Sequence, residues 1–314
     1  MKISVIMLTY NRESLIGNAI GSIISQTFKD FEFIIVDNGS TDQSGIIANE
    51  YAKLDNRIAV SHISKSNIGT GRNAGLDLAK GEYITFIDDD DVAEPDMLEF
   101  LYSNAINNNA DISLCGSTKN VNGEILPNYI FDFMTMTPAE AVVEMLKRKK
   151  FNVGLPTKLI CRGLFDKIRF IDASKYDDIT VGYKLLANAN KVIAHGLPKY
   201  CVYRHSGNNS VFTSNDNLLN PEQLDEYFAA FRERTEYLSK VLPEISDYAQ
   251  YSEWSYMISM CNKISKNNLI NCQEQLDFVR NELTEHFDEF YNSPYIEEFE
   301  KEFVRKYIVV IQNV

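Results

Sequence analysis

The chain has 314 residues, 45% of them apolar and 24% charged, enough for a large α/β domain with a smaller appendage and ordinary for a globular protein. Its net charge of −13 excludes the broad basic surface that a nucleic-acid partner demands. Five dispersed cysteines without a Cys-x-x-Cys pair point to a reduced, cytoplasmic chain; the sequence offers no signal peptide and no transmembrane-length apolar run.

Residues 2–8 form an apolar, β-branched run, and Thr9-Tyr10-Asn11-Arg12-Glu13 leads into helical periodicity, predicting strand, turn, helix. A second strand, 31–36, stops at Asp37, and Ser40 or Thr41 is placed to cap the following helix. After a third strand at 58–63, the segment from Asn67 through Gly69, Gly71, Arg72 and Gly75 enters a helix ending near Gly81. Its glycines do not make a dinucleotide fingerprint, which belongs after the first strand of such a fold.

The fourth strand, 83–87, ends in Asp88-Asp89-Asp90-Asp91. The carboxyl ends of strands are where open α/β sheets bind ligands. Four adjacent carboxylates are tolerable as a solvated turn or as an oxygen-rich cation site, and both readings stand on residues alone.

Beyond it the pattern predicts a helix from Pro95, a strand at 112–115, a hairpin turn at 121–124 and an amphipathic helix at 138–147. The cations 147–150 suit that helix's carboxyl end. Strands alternating with helices predict a mostly parallel sheet with right-handed crossovers. From Pro221 the pattern turns helical, with three to five helices packing residues such as Tyr227, Phe228, Trp254, Leu276, Phe278, Phe287 and Phe303. The expected domains are 1–214, with halves 1–95 and 96–214, and a helical domain 215–314.

Five segments, Ser4 to Arg12, Phe33 to Asp42, Asn67 to Gly69, Arg72 to Gly75 and Phe86 to Asp91, occur in an order and spacing that resembles glycosyltransferase family 2. The resemblance covers the first two thirds of the chain. It implies a GT-A fold: a Rossmann-like mixed α/β sheet flanked by helices, here with a C-terminal all-α addition. It implies inverting transfer of a hexose from a UDP-sugar, UDP-galactose or UDP-glucose ahead of UDP-GlcNAc, to a glycan or glycoprotein acceptor in bacterial surface-glycan or protein glycosylation. A divalent cation, Mn2+ or Mg2+, would bridge the diphosphate and the Asp88-x-Asp90 pair, offsetting the charge on the leaving group. Asp90 would be the direct ligand, Asp88 a second ligand or a contact to sugar or ribose, and Asp89, where relatives commonly carry a small residue, leaves the division of roles open.

By the same resemblance Tyr10 stacks on uracil, Asp37 accepts its imide N–H, and Thr9, Asn11, Arg12, Glu13, Asn67, Gly69 and Arg72 are donor neighbours. Asn11 is equally placed to cap a helix. Asp178 matches the general base that takes the acceptor's proton, with Asp177 on the acceptor side where the family has Glu; an acidic helix N-terminus is the structural alternative. Arg204 and Ser210 match diphosphate contacts, and His205 a third metal or phosphate ligand, although a lone His is more often structural. Leu8 departs from the proline commonly seen before Thr-Tyr.

Two other readings compete: a sugar nucleotidyltransferase, which lacks here its Gly-rich triphosphate loop after the first strand, and a non-catalytic GT-A protein whose tail binds partners. The tail is read as shaping the acceptor site or joining copies in a homo-oligomer. The acidic surface argues against electrostatic attachment to an anionic bilayer, leaving other peripheral association with the inner face of the membrane open.

Overall fold

The apolar run at the start of the chain becomes β1 (Ile3–Thr9), the centre of a parallel group with β2 (Phe31–Asp37), β3 (Ile58–His62) and β4 (Tyr83–Asp88). This computed structural model describes residues 1–172, 177–205, 207–208 and 215–309. The chain divides into two compact units, residues 1–205 and 206–314.

In the first unit one mixed sheet runs β3-β2-β1-β4-β9-β6-β10-β5. β5 (Val92–Ala93), β6 (Ile112–Val121), β9 (Lys158–Cys161) and β10 (Val192–Arg204) complete that path, while β7 (Glu124–Tyr129) pairs with β6 and β8 (Met134–Met136) with β10. The β1–β2, β2–β3, β1–β4 and β6–β10 pairs are parallel, whereas β9 lies antiparallel to both β4 and β6. Helical periodicity between strands is realised as α1 (Ile16–Ile24), α2 (Ser44–Leu54), α3 (Ile68–Leu78), α4 (Met97–Asn108), α5 (Pro138–Lys147) and α6 (Asp177–Asn188). The core includes Val5, Met7, Phe33 and Ile35 of the central strands with Ile16, Ile20 and Ile23 of α1.

Several local readings take sharper form. The expected turn at 121–124 joins antiparallel β6 and β7, with Asn122 and Gly123 at positive φ of 53° and 91°. β6 extends well past the expected end at Cys115. Ser40 and Thr41 do not cap α2: the cap position is Gln43, and the Ser40 hydroxyl instead accepts from the Asn11 N–H. Thr137 and Glu140 form a reciprocal capping box on α5. At its other end Lys147 and Lys150 both pair with Glu144.

The glycines of α3 have a packing role. A Cβ at Gly71 would collide with the Leu8 side chain, and one at Gly75 would come within 2.5 Å of Ile6 Cγ2. Spaced one turn apart, they let the helix backbone lie directly on β1.

The second unit contains α7 (Pro221–Val241), α8 (Ser246–Lys266), α9 (Gln273–Glu285), α10 (Phe287–Tyr291) and α11 (Glu298–Tyr307) among the described residues. Phe228, Trp254, Met257, Leu276 and Phe290 are buried in its core, while Phe278 is 39% exposed, beneath the Arg232 guanidinium. Among the described residues no helix is long and apolar enough to cross a membrane. All five cysteines are free thiols.

Candidate active site

Parallel register places the chemistry at one edge. Thr9 pairs with Asp37 across β1 and β2, and Leu8 pairs with Asp88 across β1 and β4, so the carboxyl ends of three adjacent strands open side by side. This is the edge from which such sheets bind ligands.

At the β2 side, Asp37 is only 6% exposed. Its Oδ1 accepts from the Ser40 N–H at 3.0 Å, and its Oδ2 lies 2.9 Å from His62 Nδ1, so the carboxylate orientation is fixed. Tyr10 is 38% exposed, with Lys65 Nζ 3.0 Å above its ring. Any base stacking on that face displaces the ammonium. Asn11 adopts φ 52° and accepts from the Thr41 N–H at 2.8 Å, while Glu13 accepts from the Gln43 N–H at 2.9 Å. Both residues therefore brace the loop after β1 against the loop after β2. Asn67 caps α3 by accepting from the Thr70 N–H at 2.8 Å, and Gly69 lies against the Ile171 carbonyl, where a Cβ would come within 2.6 Å.

The four acids are held in four ways. The Asp88 backbone N–H donates to the Tyr200 hydroxyl oxygen at 3.1 Å, and the Asp88 carboxylate faces Arg72 Nη2 at 3.5 Å. Asp89 accepts from the Tyr10 N–H at 3.3 Å and lies 3.6 Å from Arg12 Nε. Asp90 Oδ2 is 3.0 Å from His205 Nε2, and Asp91 accepts from the Tyr203 N–H at 2.8 Å. Arg204, ending β10, adds positive potential at Asp91. Burial raises Asp89 to about 6 and Asp91 to about 7, with repulsion from Asp90 adding to both. Asp88 is raised as well, by desolvation first and then by its acidic neighbours, against the pull of Arg72. With 43% of its side chain exposed, solvent holds down part of that rise.

The donors fit a divalent cation bound jointly with a ligand. Two cis ligands at metal-bond length sit about 3 Å apart, the spacing of Asp90 Oδ2 and His205 Nε2. Among the described residues no three His, Cys, Asp or Glu side chains form a complete cage. Mg2+-type sites commonly use one or two carboxylates and take their remaining ligands from phosphate and water.

Arg72 links this edge to the acidic start of α6. Its Nε lies 2.9 Å from Asp177 Oδ2 and its Nη1 2.7 Å from Asp178 Oδ1. Desolvation opposes its charge, but the three carboxylates around it more than offset that, and its pKa is raised. Burial lifts Asp177 to about 6 despite Arg72. Asp178 Oδ2 remains on the side of Gly154, where an added Cβ would stand 3.7 Å away. The expected site residues thus fall into three places: Tyr10 and Asp37 at one end, the acids with Arg12, Arg204 and His205 in the middle, and Arg72 with the expected acceptor-side Asp177 and base Asp178 at the other. Ser210 lies outside the described residues.

Three groups in these places escaped the sequence reading. His62 orients Asp37, Lys65 covers Tyr10, and Lys158 is a 3% exposed cation whose Nζ donates to the Gly154 carbonyl. Only Lys158 left a signal, a lysine heading the apolar run Leu159-Ile160-Cys161.

Residues 4–169 match the profile of Glycosyl transferase family 2. The chain belongs to glycosyltransferase family 2. GlyG, a glycosyltransferase of Streptococcus pneumoniae, is 33% identical over 219 residues, covering 65% of this chain and 71% of GlyG. TarP of Staphylococcus aureus, a poly(ribitol-phosphate) beta-N-acetylglucosaminyltransferase, is 29% identical over 240 residues, covering 74% of this chain and 70% of TarP. Matches to several other curated relatives span about a third of each one's length. Among solved structures, S. aureus TarS residues 1–349 with UDP-GlcNAc superposes with a TM-score of 0.73 at 24% identity, covering 92% of this chain and 82% of that one. The mixed sheet is thus a GT-A-like fold, and the family-2 chain is a glycosyltransferase related to enzymes of bacterial surface polymers.

Proposed function

We propose that this family-2 glycosyltransferase moves a hexose from a UDP-sugar to a hydroxyl of a bacterial surface glycan or glycoprotein, with inversion and with a divalent cation. The convergence of Asp37, Asp88–Asp91 and Asp178 around one sheet edge carries this reading. The uridine lies between Tyr10 and Asp37, the diphosphate faces Asp90 and Arg204, and the sugar lies toward Arg72 and Asp178. Mn2+ or Mg2+ at Asp90 and His205, with Asp88 beside them, would act as a Lewis acid on the leaving diphosphate.

Asp178 accepts the proton of the acceptor hydroxyl on Oδ2 as that oxygen bonds to the anomeric carbon. The bond from that carbon to the diphosphate breaks on the opposite face, and UDP departs with the electron pair. Arg72 holds Oδ1, fixing the direction of Oδ2. Asp177, on the neighbouring Arg72 nitrogen, faces the acceptor side.

A panel of UDP-glucose, UDP-galactose and UDP-GlcNAc, assayed for UDP release with Mn2+, Mg2+ or chelator, tests the reading. The last donor belongs in the panel because the TarS complex holds it. Cation-dependent UDP release from one donor is expected. Absence of UDP binding in every condition counts against the proposal.

A further inference from the structure

The helical unit carries a cavity of about 620 Å3, a volume in the range of small-molecule sites. One wall is a single face of α8. Asp247, Gln250 and Trp254 lie at positions separated by three and four residues, so their side chains stack along the helix toward the same opening. The other lining comes from His286 at the N-cap of α10, Asp288 within that helix and Tyr295 in the turn after it.

The chemistry of these walls is divided. Tyr295 is 40% exposed, yet its ring is wedged against Tyr248 at 4.8 Å and Tyr251 at 5.7 Å between centroids, leaving a rigid aromatic surface open to a ligand. Tyr251 is itself anchored through its hydroxyl to the buried Glu300 at 2.9 Å. Deeper in, Trp254 is 6% exposed, stacked on His286, and its indole N–H has no acceptor among the described residues. Asp247, Gln250 and Asp288 add side-chain acceptors and an amide. Among the described residues the one basic lining group, His286, is paired with Glu289 at 2.7 Å.

We propose that this cavity is a second carbohydrate-binding site, separate from the donor site, which takes a short neutral oligosaccharide. The C–H face of a sugar ring packs on the Tyr295 surface, as weakly positive C–H groups do on an aromatic face. Its hydroxyls donate to the carboxylates of Asp247 and Asp288 and bond the Gln250 amide, giving orientation. The acidic rim repels phosphate- or uronate-bearing chains, which selects neutral glycans. Such a site retains a growing or acceptor glycan on the enzyme between transfers and raises its effective concentration.

Trp254 is the single tryptophan of the chain, so tryptophan emission, excited where tyrosine does not absorb, comes from this one cavity-lining side chain. The full-length protein is applied to an array of neutral and acidic oligosaccharides, and neutral hits are titrated while Trp254 emission is followed. Saturable quenching or a spectral shift is expected, unaffected by excess UDP. Tyr295→Ala and Gln250→Ala should each weaken it at least tenfold with UDP affinity unchanged; Tyr295→Ala also melts lower because its ring packs on Tyr248 and Tyr251, whereas Gln250→Ala keeps the parent's melting temperature and carries the comparison. The proposal is overturned by an array without neutral hits, by binding that UDP abolishes, or by undiminished binding in Tyr295→Ala. Because UDP affinity is measured separately, failure here is distinct from failure of the donor reading.

Discussion

Arg72 Nη1 stands 2.7 Å from Asp178 Oδ1, tying the helix laid on β1 to the acid at the start of α6. The same guanidinium reaches Asp88 and Asp177, so one buried cation balances three carboxylates from two parts of the chain. Its removal leaves those charges uncompensated. Arg72→Met is expected to destabilise the protein by roughly 3–5 kcal/mol, the usual result of breaking a buried pair. Arg72→Lys keeps the charge but loses the planar fork, and recovers only part of that loss. Urea unfolding of the three proteins measures the ranking. A Met variant as stable as the parent would show that the pairing carries no net stability.

The two acids beside Arg72 should separate by kinetics. Asp178→Asn retains shape and a hydrogen-bonding oxygen but no basic carboxylate, and turnover should fall by about 10^3-fold, within the span typical of a lost general base. UDP affinity should remain within a few fold of the parent. Asp177→Asn should instead raise the acceptor KM and change turnover less, because Asp177 is buried and committed to Arg72. Steady-state assays with varied acceptor, alongside calorimetric titration of UDP, distinguish these outcomes.

Asp90 and His205 define the expected cation position. Asp90→Ala should lower turnover by a factor on the order of 10^3, as loss of a group that stabilises developing leaving-group charge does. His205→Gln should chiefly raise the Mn2+ concentration required for half-maximal rate. Chelator should reduce parent and His205→Gln to the same baseline, and restoring Mn2+ should return activity. UDP-release assays across a Mn2+ titration provide the comparison, and equal cation requirements for all three proteins would move the site elsewhere.

The strands β1, β2 and β4 and their carboxyl ends were legible because each is an apolar run ending abruptly in polar residues, and a parallel arrangement of them puts Thr9, Asp37 and Asp88 at one edge, whereas their order in the sheet was not read from the sequence. The antiparallel insertion of β9 between β4 and β6 left no comparable mark. A four-residue strand with only three apolar residues does not reveal its direction or its neighbours, which depend on contacts distant in sequence. The partners of Arg72 were hidden for the same reason: Asp178 lies 106 positions away. Asn67 shows the complementary difficulty, since a helix-capping side chain and a ligand-binding one look alike until the Thr70 N–H is found on it.

Lys158 gives the site a measurable dependence on pH. Burial pushes its pKa down from 10.5 to about 8, although Asp178 and Cys115 pull the other way. Between those values the unfolded chain binds a proton at this lysine that the folded chain has released. Stability from this group therefore rises as pH increases through about 8 and levels off near the unfolded value. Below that window folding carries the full cost of burying the charge. The parent should gain on the order of 2 kcal/mol relative to Lys158→Met between pH 7.5 and pH 9.5. The comparison with the variant cancels tyrosines and cysteines titrating in the same interval. Lys158→Met also loses the donor on the Gly154 carbonyl, the residue beside Asp178 Oδ2, so its acceptor KM should rise while UDP affinity stays constant. Chemical unfolding at the two pH values, together with acceptor kinetics at pH 7.5, gives both readouts. Parallel stability curves for the two proteins would mean that the buried lysine keeps its ordinary pKa.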